Sequence, residues 1–288
     1  MRLHTQEDDP ENPVSLLESE PTAHDDAALL LEKSGDEEKP RCFNFRFLFR
    51  HLLVSTVLLP LCSFAFCVIW VMHEDFVKAC YTACLKHGNR KIPNYLPSVS
   101  AATGDFYVSQ VVWRFCILLH APPRFYFAFQ YFQYLCKILP GRHLPLSLVT
   151  CLLHCLEISG LVGLTVISSR MNFIMHATCF GTFIVCSEIY MIALCMLITS
   201  HTKFSRNATS LEARSLAVKK MLLKIILLCS CALIYVYFRH EAYCEQGMYT
   251  LFSLLEYVII LSNIGFHATA YWDFYDKVVV IDRCCNRC

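Results

Sequence analysis

The sequence lacks most of the short motifs that identify an enzyme class. It contains no GxSxG nucleophile elbow, no glycine-rich phosphate loop and no HExxH metal motif. Its 18 cysteines do not form a CxxC…CxxC pair, the pattern of a structural zinc site. It also has no stripe of arginines at three-residue spacing, the pattern of a voltage sensor. These absences argue against the enzymes, zinc proteins and sensors that such motifs identify.

Charge is also scarce. Only 17% of the 288 residues are charged and the net charge is +1, so the chain offers no basic face to a nucleic acid. Hydrophobic residues make up 56% of the chain, and they are gathered in blocks. This composition is typical of a polytopic membrane protein. Eleven of the cysteines lie inside the apolar blocks, where we expect them to be small buried hydrophobic residues.

Six apolar segments are long enough to cross a hydrocarbon core of ~30 Å. Because backbone polar groups in lipid must be satisfied internally, these segments are predicted to be helices. Lysine and arginine are more frequent on the side that both termini share, so both termini are predicted to be cytosolic. The predicted fold is therefore an all-α membrane protein, with six transmembrane helices in a bundle and a luminal cap loop. Within a domain of residues 41–280, the spans cover about 47–72, 108–136, 146–169, 173–199, 221–238 and 249–272.

The two ends of the chain differ from this domain. Residues 1–40 are acidic and poor in aromatics, which predicts a disordered cytosolic tail, and they show no signal-peptide pattern. Residues 281–288 form a Cys-rich cytosolic tail, whose Cys284, Cys285 and Cys288 are read either as palmitoylation sites or as reduced cysteines. The glycosylation sequon at Asn207 lies on the predicted cytosolic side and should stay unmodified.

The loop between the first two spans contains PNYLPSVSAATGDF, residues 93–106. Its prolines, glycine and small hydroxyl residues predict an ordered, non-helical cap, although a plain solvated linker is equally compatible with them. Cys80 and Cys84 in the same loop would share the oxidising luminal side with Cys244. A disulfide between Cys244 and one of these two cysteines is therefore a candidate.

The second predicted span carries ionisable groups at membrane depth, namely His120 and Arg124. A charge at the centre of a membrane helix costs on the order of 2.5–3.5 kcal/mol, so both groups should face the bundle interior and find partners. In an unbroken helix they share a face with Trp113. Pro122 and Pro123 each remove a backbone donor, which predicts a kink and a wider cavity beside His120.

Other spans supply candidate partners for these groups. Glu256, Asn263 and His267 fall on one stripe of the sixth span. His154 and Glu157 share a face of the third span. The pattern predicts a polar tract that runs inward from the lumen, although such residues also serve simply as hydrogen bonds that tie membrane helices together.

Several motifs resemble one family and occur in its order. They are PNYLPSVS (93–100), WRFCILLH (113–120), YFRHEAYCEQGMYTLFSLLEY (237–257) and NIGFHATAYWDF (263–274). Over residues 45 to 280 the chain is similar to the Frag/DRAM/Sfk superfamily of multispanning membrane proteins, and within it to the branch that remodels glycosylphosphatidylinositol (GPI) anchors. The resemblance implies a multi-pass protein of the Golgi membrane, with the endoplasmic reticulum as the alternative. It implies reacylation of lyso-GPI-anchored proteins at the sn-2 position with a saturated (stearoyl) chain on the luminal side.

The resemblance also implies roles for particular residues. His120 and His240 are candidate general bases, and Glu256 would orient the base or balance the charge of Arg124. The remaining candidates would contact the lyso-GPI lipid, with the two outer arginines on its phosphate. The substrate-binding candidates are Ser98, Ser100, Arg114, Arg124, Arg239, Asn263 and His267, and the candidate aromatic wall of the acyl-chain slot is Tyr126, Phe127, Tyr257 and Phe266.

No metal site and no bound cofactor are expected. An acyl donor, for which acyl-CoA is a candidate, would be a co-substrate, and other GPI-remodelling factors are candidate partners. Two alternatives to an acyltransferase stay open. One is a non-catalytic lipid-binding or scaffold protein that serves a separate acyltransferase, and the other is a receptor-like or channel-like member of the superfamily.

Overall fold

The structure, a computed structural model, describes residues 43–84, 90–204, 209–275 and 278–283. It describes side chains in 49–82, 92–202 and 209–275. The predicted tail 1–40, the sequon at Asn207 and the side chain of Cys84 lie outside these residues, as do Cys284, Cys285 and Cys288. Contacts divide the chain into a large unit, residues 47–279, and a small unit that includes 43–46 and 280–283. Strands β1 (Phe43–Leu48) and β4 (Val278–Arg283) form a two-stranded sheet.

Six long helices make up most of the large unit. They are α1 (Phe49–Glu74), α4 (Tyr107–Ile138), α5 (Leu144–Val166), α6 (Phe173–Phe204), α7 (Ser210–Tyr243) and α8 (Met248–Ala268). Among the residues that the structure describes, five segments are long and apolar enough to cross a membrane: Phe49–Glu74, Gly141–Val166, Phe173–Thr202, Ser210–Tyr243 and Met248–Asp273. These correspond to five of the six predicted spans. Helix α4 is long enough to cross a membrane but not apolar enough, because it carries Arg114, His120 and Arg124.

The long helices pack as a closed ring in chain order. Helix α1 packs against α4, α4 against α5, α5 against α6, α6 against α7, α7 against α8, and α8 against α1. Most connections are short, and short connections place successive helices side by side. The ring creates an interior that polar side chains of α4, α5 and α8 can share.

Two glycines allow α5 and α6 to approach closely. A Cβ atom at Gly160 would lie 2.8 Å from Phe183 N, and one at Gly163 would lie 2.6 Å from Cys179 Sγ. Real Cβ atoms do not approach other atoms that closely. Gly160 therefore requires the absence of a side chain, because its Cβ would meet the backbone of Phe183, whereas a side chain at Gly163 would have to displace the Cys179 thiol. Small residues serve the same purpose at many membrane helix interfaces.

Helix α7 starts at Ser210, well before the predicted start at 221. Thr209 and Glu212 form a capping box, in which Glu212 N donates to Thr209 Oγ1 at 3.2 Å and Thr209 N donates to Glu212 Oε2 at 3.0 Å. The longer helix carries Lys219 into the protein. This lysine precedes the predicted fifth span and is fully buried, with Nζ 2.6 Å from Asp273 Oδ2.

The WDF motif at residues 272–274 closes the same end of the bundle. Thr269 ends α8, a short helix α9 (Ala270–Asp273) follows, and Phe274 inserts between the rings of Phe49 and Tyr131, each at a centroid distance of 4.9 Å. Tyr131 also donates its hydroxyl to Asp273 Oδ2 at 2.6 Å. The motif therefore anchors the chain after the last long helix.

The opposite end of the bundle carries the cap, of which the structure describes residues 75–84 and 90–106. It contains α2 (Phe76–Cys80), the antiparallel pair β2 (Thr82–Cys84) and β3 (Arg90–Ile92), and α3 (Val99–Gly104). The prediction of a non-helical cap is wrong for 99–104, because Ser98 caps α3 by accepting from Ala101 N at 3.2 Å. The prediction of an ordered cap is confirmed. Tyr257 on α8 donates to Pro97 O at 2.7 Å, and Thr250 accepts from Tyr95 N at 3.0 Å.

The structure decides one of the two disulfide alternatives at this end of the bundle. Cys244, which follows α7, is in a disulfide bond. Cys80 is a free thiol, and burial raises its pKa to about 11. The alternative that pairs Cys80 with Cys244 is therefore wrong, since the Cys80 side chain is enclosed in the cap core with Val71 and Phe106. The alternative that pairs Cys84 with Cys244 stays a prediction.

Candidate functional site

A narrow cavity lies inside the ring, below the cap helix α3. Its volume is about 80 Å³. Its walls are mostly apolar and include Ile117, Leu161, Phe183 and Ile259. We call it the central cavity; its polar lining consists of Ser100, Thr103, Trp113, His120, Arg124, His176, Glu256 and Asn263.

Two neighbouring spaces share lining residues with the central cavity. Toward the cap, Ser100, His176 and Glu256 also line a wider cleft of about 930 Å³, which we call the cap cleft. Toward the bundle interior, His120 and Arg124 also line an inner pocket of about 20 Å³. Several residues of the predicted polar tract therefore line neighbouring spaces between the cap and the bundle interior.

Helix α4 presents one face to these spaces. Trp113, Ile117, His120 and Arg124 are all buried and follow one another at helical spacing. The helix continues through Pro122 and Pro123 without interruption. The prediction that Trp113, His120 and Arg124 share an inward face is confirmed.

His120 is the most available of these polar groups. Its side chain is 3% exposed, lines both the central cavity and the inner pocket, and has no hydrogen-bond partner for Nδ1 among the described residues. At ~1.5 Å per residue it lies about 20 Å along α4 from Tyr107. Buried polar groups normally have partners, so an unpartnered imidazole in a cavity is positioned to bind a ligand or a water molecule.

Arg124 is committed to an ion pair. Its Nη2 lies 2.9 Å from Glu157 Oε1, and both side chains are buried. Asn263 Nδ2 donates to the same oxygen at 3.0 Å and also to Ser187 Oγ at 2.8 Å. The expectation that Glu256 balances Arg124 is wrong, because α5 places Glu157 directly opposite the guanidinium.

His154 and His267 complete this buried ion cluster. His154 Nε2 lies 3.5 Å and His267 Nε2 lies 2.5 Å from Arg124 Nη2. A guanidinium can only donate, so a neutral His267 accepts from it through Nε2; a protonated His267 would instead donate to Glu157, 3.0 Å away. One atom of Glu157 and one of each histidine lie within 4.8 Å of one another, a spacing that could hold a metal ion. The Arg124 guanidinium already occupies the position between them.

Glu256 holds the cap on the bundle. Its Oε2 accepts a hydrogen bond from Val99 N, the first residue of α3, at 3.0 Å. The carboxylate is 6% exposed and lines both the central cavity and the cap cleft. Its position beside the cavity agrees with a role at the site, and its described contact is with the cap.

The predicted phosphate ligands Arg114 and Arg239 are engaged elsewhere. Arg114 donates to the carbonyl oxygens of Thr165 at 3.2 Å and Val166 at 3.0 Å, at the C-terminal end of α5. Arg239 forms a two-pronged ion pair with Glu245, in which both distances are 2.8 Å. Neither arginine lines the central cavity or the cap cleft.

His240 and the predicted aromatic wall also differ from expectation. His240 packs against the ring of Tyr249, and its Nε2 lies 3.4 Å from Thr82 Oγ1, outside the central cavity. Of the four aromatics, Phe127 lines the inner pocket, whereas Tyr126, Tyr257 and Phe266 pack within the protein. The central cavity is lined instead by aliphatic residues together with Phe180 and Phe183.

His176 is a residue of the site whose partner could not be predicted from the sequence. It lies on α6 close to the cap, and its Nε2 is 3.0 Å from Ser100 Oγ. Ser98, the other serine candidate, is occupied as the cap of α3. The signal available in the sequence was the position of His176 at the predicted luminal end of its span.

Comparisons with known proteins show which family the chain belongs to. The chain is 41% identical over 242 residues to "Acyltransferase PGAP2" of Xenopus tropicalis, which covers 82% of this chain and 92% of that protein. It is 37% identical over 248 residues to "Post-GPI attachment to proteins factor 2" of Drosophila melanogaster, with coverage of 84% and 92%. The Caenorhabditis elegans protein of the same name is 37% identical over 240 residues, with coverage of 81% and 88%. No solved structure matches the chain. Residues 48–277 match the family described as Frag1/DRAM/Sfk1/Cwh43P N-terminal domain, and the chain therefore belongs to that family.

Proposed function

We propose that this protein remodels GPI-anchor lipids, by binding a lyso-GPI lipid at the central cavity and the adjacent cap cleft and restoring a saturated, stearoyl chain at its sn-2 position. The observation that carries the proposal is the pair of spaces itself, a mostly apolar cavity and a wider cleft that share Ser100, His176 and Glu256 in their linings. The relatives named "Post-GPI attachment to proteins factor 2" and "Acyltransferase PGAP2" support the substrate class and the reaction.

The chemistry of the spaces suits the parts of such a lipid. The aliphatic walls of the central cavity would contact part of an acyl chain. The cap cleft would hold the headgroup, where Lys78 supplies a cation for its phosphate; Arg170 lines the same cleft and is paired with Asp105 at 2.7 Å. His120 lies in the cavity, whereas His240 lies outside it, so His120 is the stronger candidate of the two histidines for a contact with the substrate's polar atoms.

We also propose that α4 crosses the membrane as a sixth span. It lies in the ring between α1 and α5, both of which have span-like composition. Its polar groups face inward and its exposed side chains are apolar, with Phe115 66% and Leu119 51% exposed. Six spans place both termini in the cytosol and the cap in the lumen, and the location proposed is the Golgi membrane.

Acyl transfer by the purified protein tests the proposal. The protein would be placed in nanodiscs with a lyso-GPI lipid and a labelled stearoyl donor, supplied as stearoyl-CoA in one arm and as a stearoyl phospholipid in the other. We expect labelled product in at least one arm. Ile117→Trp, which fills the cavity, should lower the rate at least tenfold, whereas Leu119→Trp on the exposed side of the same helix should not.

Three outcomes separate the alternatives. Transfer that is lost in Ile117→Trp supports a catalyst that acts in the cavity. Binding of lyso-GPI without transfer in either arm would overturn catalysis and favour a lipid-binding protein that serves a separate acyltransferase. Absence of binding would overturn the assignment of the cavity as the lipid site.

A further inference from the structure

Ser100 and His176 form a hydrogen-bonded pair across the mouth of the central cavity. Ser100 lies on the cap helix α3 and His176 on the first turn of α6, with 3.0 Å between Oγ and Nε2. Both residues line the central cavity and the cap cleft, so both spaces reach the hydroxyl. Their side chains are partly exposed rather than sealed in the core.

A third group determines the tautomer of His176. Its Nδ1 lies 2.7 Å from the carbonyl oxygen of Ile167. A carbonyl oxygen can only accept, so in the neutral ring Nδ1 carries the proton and Nε2 is the acceptor. Ser100 therefore donates its hydroxyl proton to Nε2. A hydroxyl nucleophile, a histidine base and a group that orients the base form the arrangement of nucleophilic catalysis.

Neighbouring hydroxyl groups are used differently. Thr103, on the same short helix, donates its hydroxyl to the backbone carbonyl oxygen of Val99, 2.8 Å away. Ser98 accepts from Ala101 N as the helix cap. Ser100 instead bonds to a histidine on another helix, at the junction of the two spaces.

We propose that acyl transfer passes through an ester on Ser100, with His176 as its base. In the first half-reaction Ser100 Oγ bonds to the acyl carbon of a donor, and the bond to the donor's leaving oxygen or sulfur breaks. The serine proton passes to His176 Nε2 and from there to the leaving group. The donor is an activated acyl compound, either a phospholipid ester or an acyl thioester.

In the second half-reaction the sn-2 hydroxyl oxygen of the lyso-lipid bonds to the acyl carbon, and the bond to Ser100 Oγ breaks. The hydroxyl proton passes to His176 Nε2 and returns to Ser100 Oγ, which regenerates the pair. The inference rests on the proposed function, and it leaves His120 as a contact for the substrate inside the cavity.

The test is to trap the intermediate on the full-length protein. The protein in nanodiscs would receive a labelled stearoyl phospholipid or stearoyl-CoA without any lyso-lipid, and the site of labelling would be read by mass spectrometry. We expect an oxyester on Ser100 that resists neutral hydroxylamine. A Ser100→Cys variant should carry a thioester at the same position that neutral hydroxylamine removes. Thioesters on native cysteines share that sensitivity, so position and sensitivity together identify the intermediate.

Transfer rates provide the second readout. Ser100→Ala and His176→Gln should each lower kcat about 100-fold or more, with a smaller change in KM, and Ser100→Cys should recover part of the activity. Thr178→Ala, which removes an exposed hydroxyl two residues after His176, is the matched control and should behave as wild type.

The possible results separate this inference from the proposed function. Transfer by the wild type that persists in Ser100→Ala, without label on Ser100, would overturn the covalent intermediate and leave the proposed function standing. Absence of transfer by the wild type would overturn the proposed function itself. Label on Ser100 that moves to added lyso-GPI would support both.

Discussion

Removal of the Glu157 carboxylate should destabilise the protein more than any conservative change on its surface. Glu157 is fully buried, and its Oε1 accepts from Arg124 at 2.9 Å and from Asn263 at 3.0 Å. Glu157→Leu would leave the guanidinium buried without its counter-charge, which costs about 3–5 kcal/mol. At roughly 2–4 °C per kcal/mol for a chain of this size, the midpoint of thermal unfolding should fall by about 10 °C.

Removal of both charges should restore most of that loss. Replacing a buried ion pair by apolar residues of similar volume is often neutral or stabilising by about 1–4 kcal/mol. The double variant Arg124→Met with Glu157→Leu should therefore be more stable than Glu157→Leu alone. The free energy of unfolding would be measured in mixed micelles for the wild type, both single variants and the double variant.

The control is Ser159→Ala, which removes an exposed hydroxyl from the same helix and should change stability by less than about 0.5 kcal/mol. A Glu157→Leu variant within about 1 kcal/mol of the wild type, or a double variant whose loss equals the sum of the single losses, would refute the ion cluster as described.

The remaining predictions concern other contacts. Asp273→Leu should cost about 3–5 kcal/mol of unfolding free energy, because Lys219 then lies buried and unpaired, and Lys219→Met in the same chain should recover most of it by the same assay. Gly160→Leu should prevent stable folding, seen as aggregation on size-exclusion chromatography, because its Cβ alone would meet the backbone of Phe183, whereas a leucine at the unobstructed Gly181 on α6 should be tolerated. The Arg239 guanidinium holds the pKa of Glu245 below its usual range, so this pair stabilises the fold above the ordinary carboxyl pKa and ceases to do so as the pH falls through the lowered one. Arg239→Gln should therefore be less stable than the wild type at neutral pH and equal to it in acid, which unfolding at a series of pH values would check; a difference that persists in acid would contradict the pairing.

Much of the site could be predicted from the sequence. The inward face of α4 followed from helical spacing and from the cost of exposing His120 and Arg124 to lipid. The stripe of Glu256, Asn263 and His267 followed from the same spacing. Those inferences succeeded because they depend on the geometry of a single helix.

The pairing of these groups was not predictable in the same way. The sequence offered Arg124 two candidate carboxylates, Glu157 and Glu256. In the structure α5 is rotated so that Glu157 pairs with Arg124, while Glu256 accepts a hydrogen bond from the cap. The pairing of Lys219 with Asp273 was not predicted, because nothing local indicates that two residues 54 apart in the chain meet.

The sequence by itself determined that this chain forms long apolar helices, and that charged groups within them must face one another. Hydropathy and helical periodicity are properties of each segment, so they can be read from the sequence without knowing which helices pack together. Only the tertiary structure decided which charges pair, that α3 closes the cavity and that Ser100 meets His176. Those contacts depend on the order and rotation of the packed helices, which are determined by the shapes of all the side chains between them.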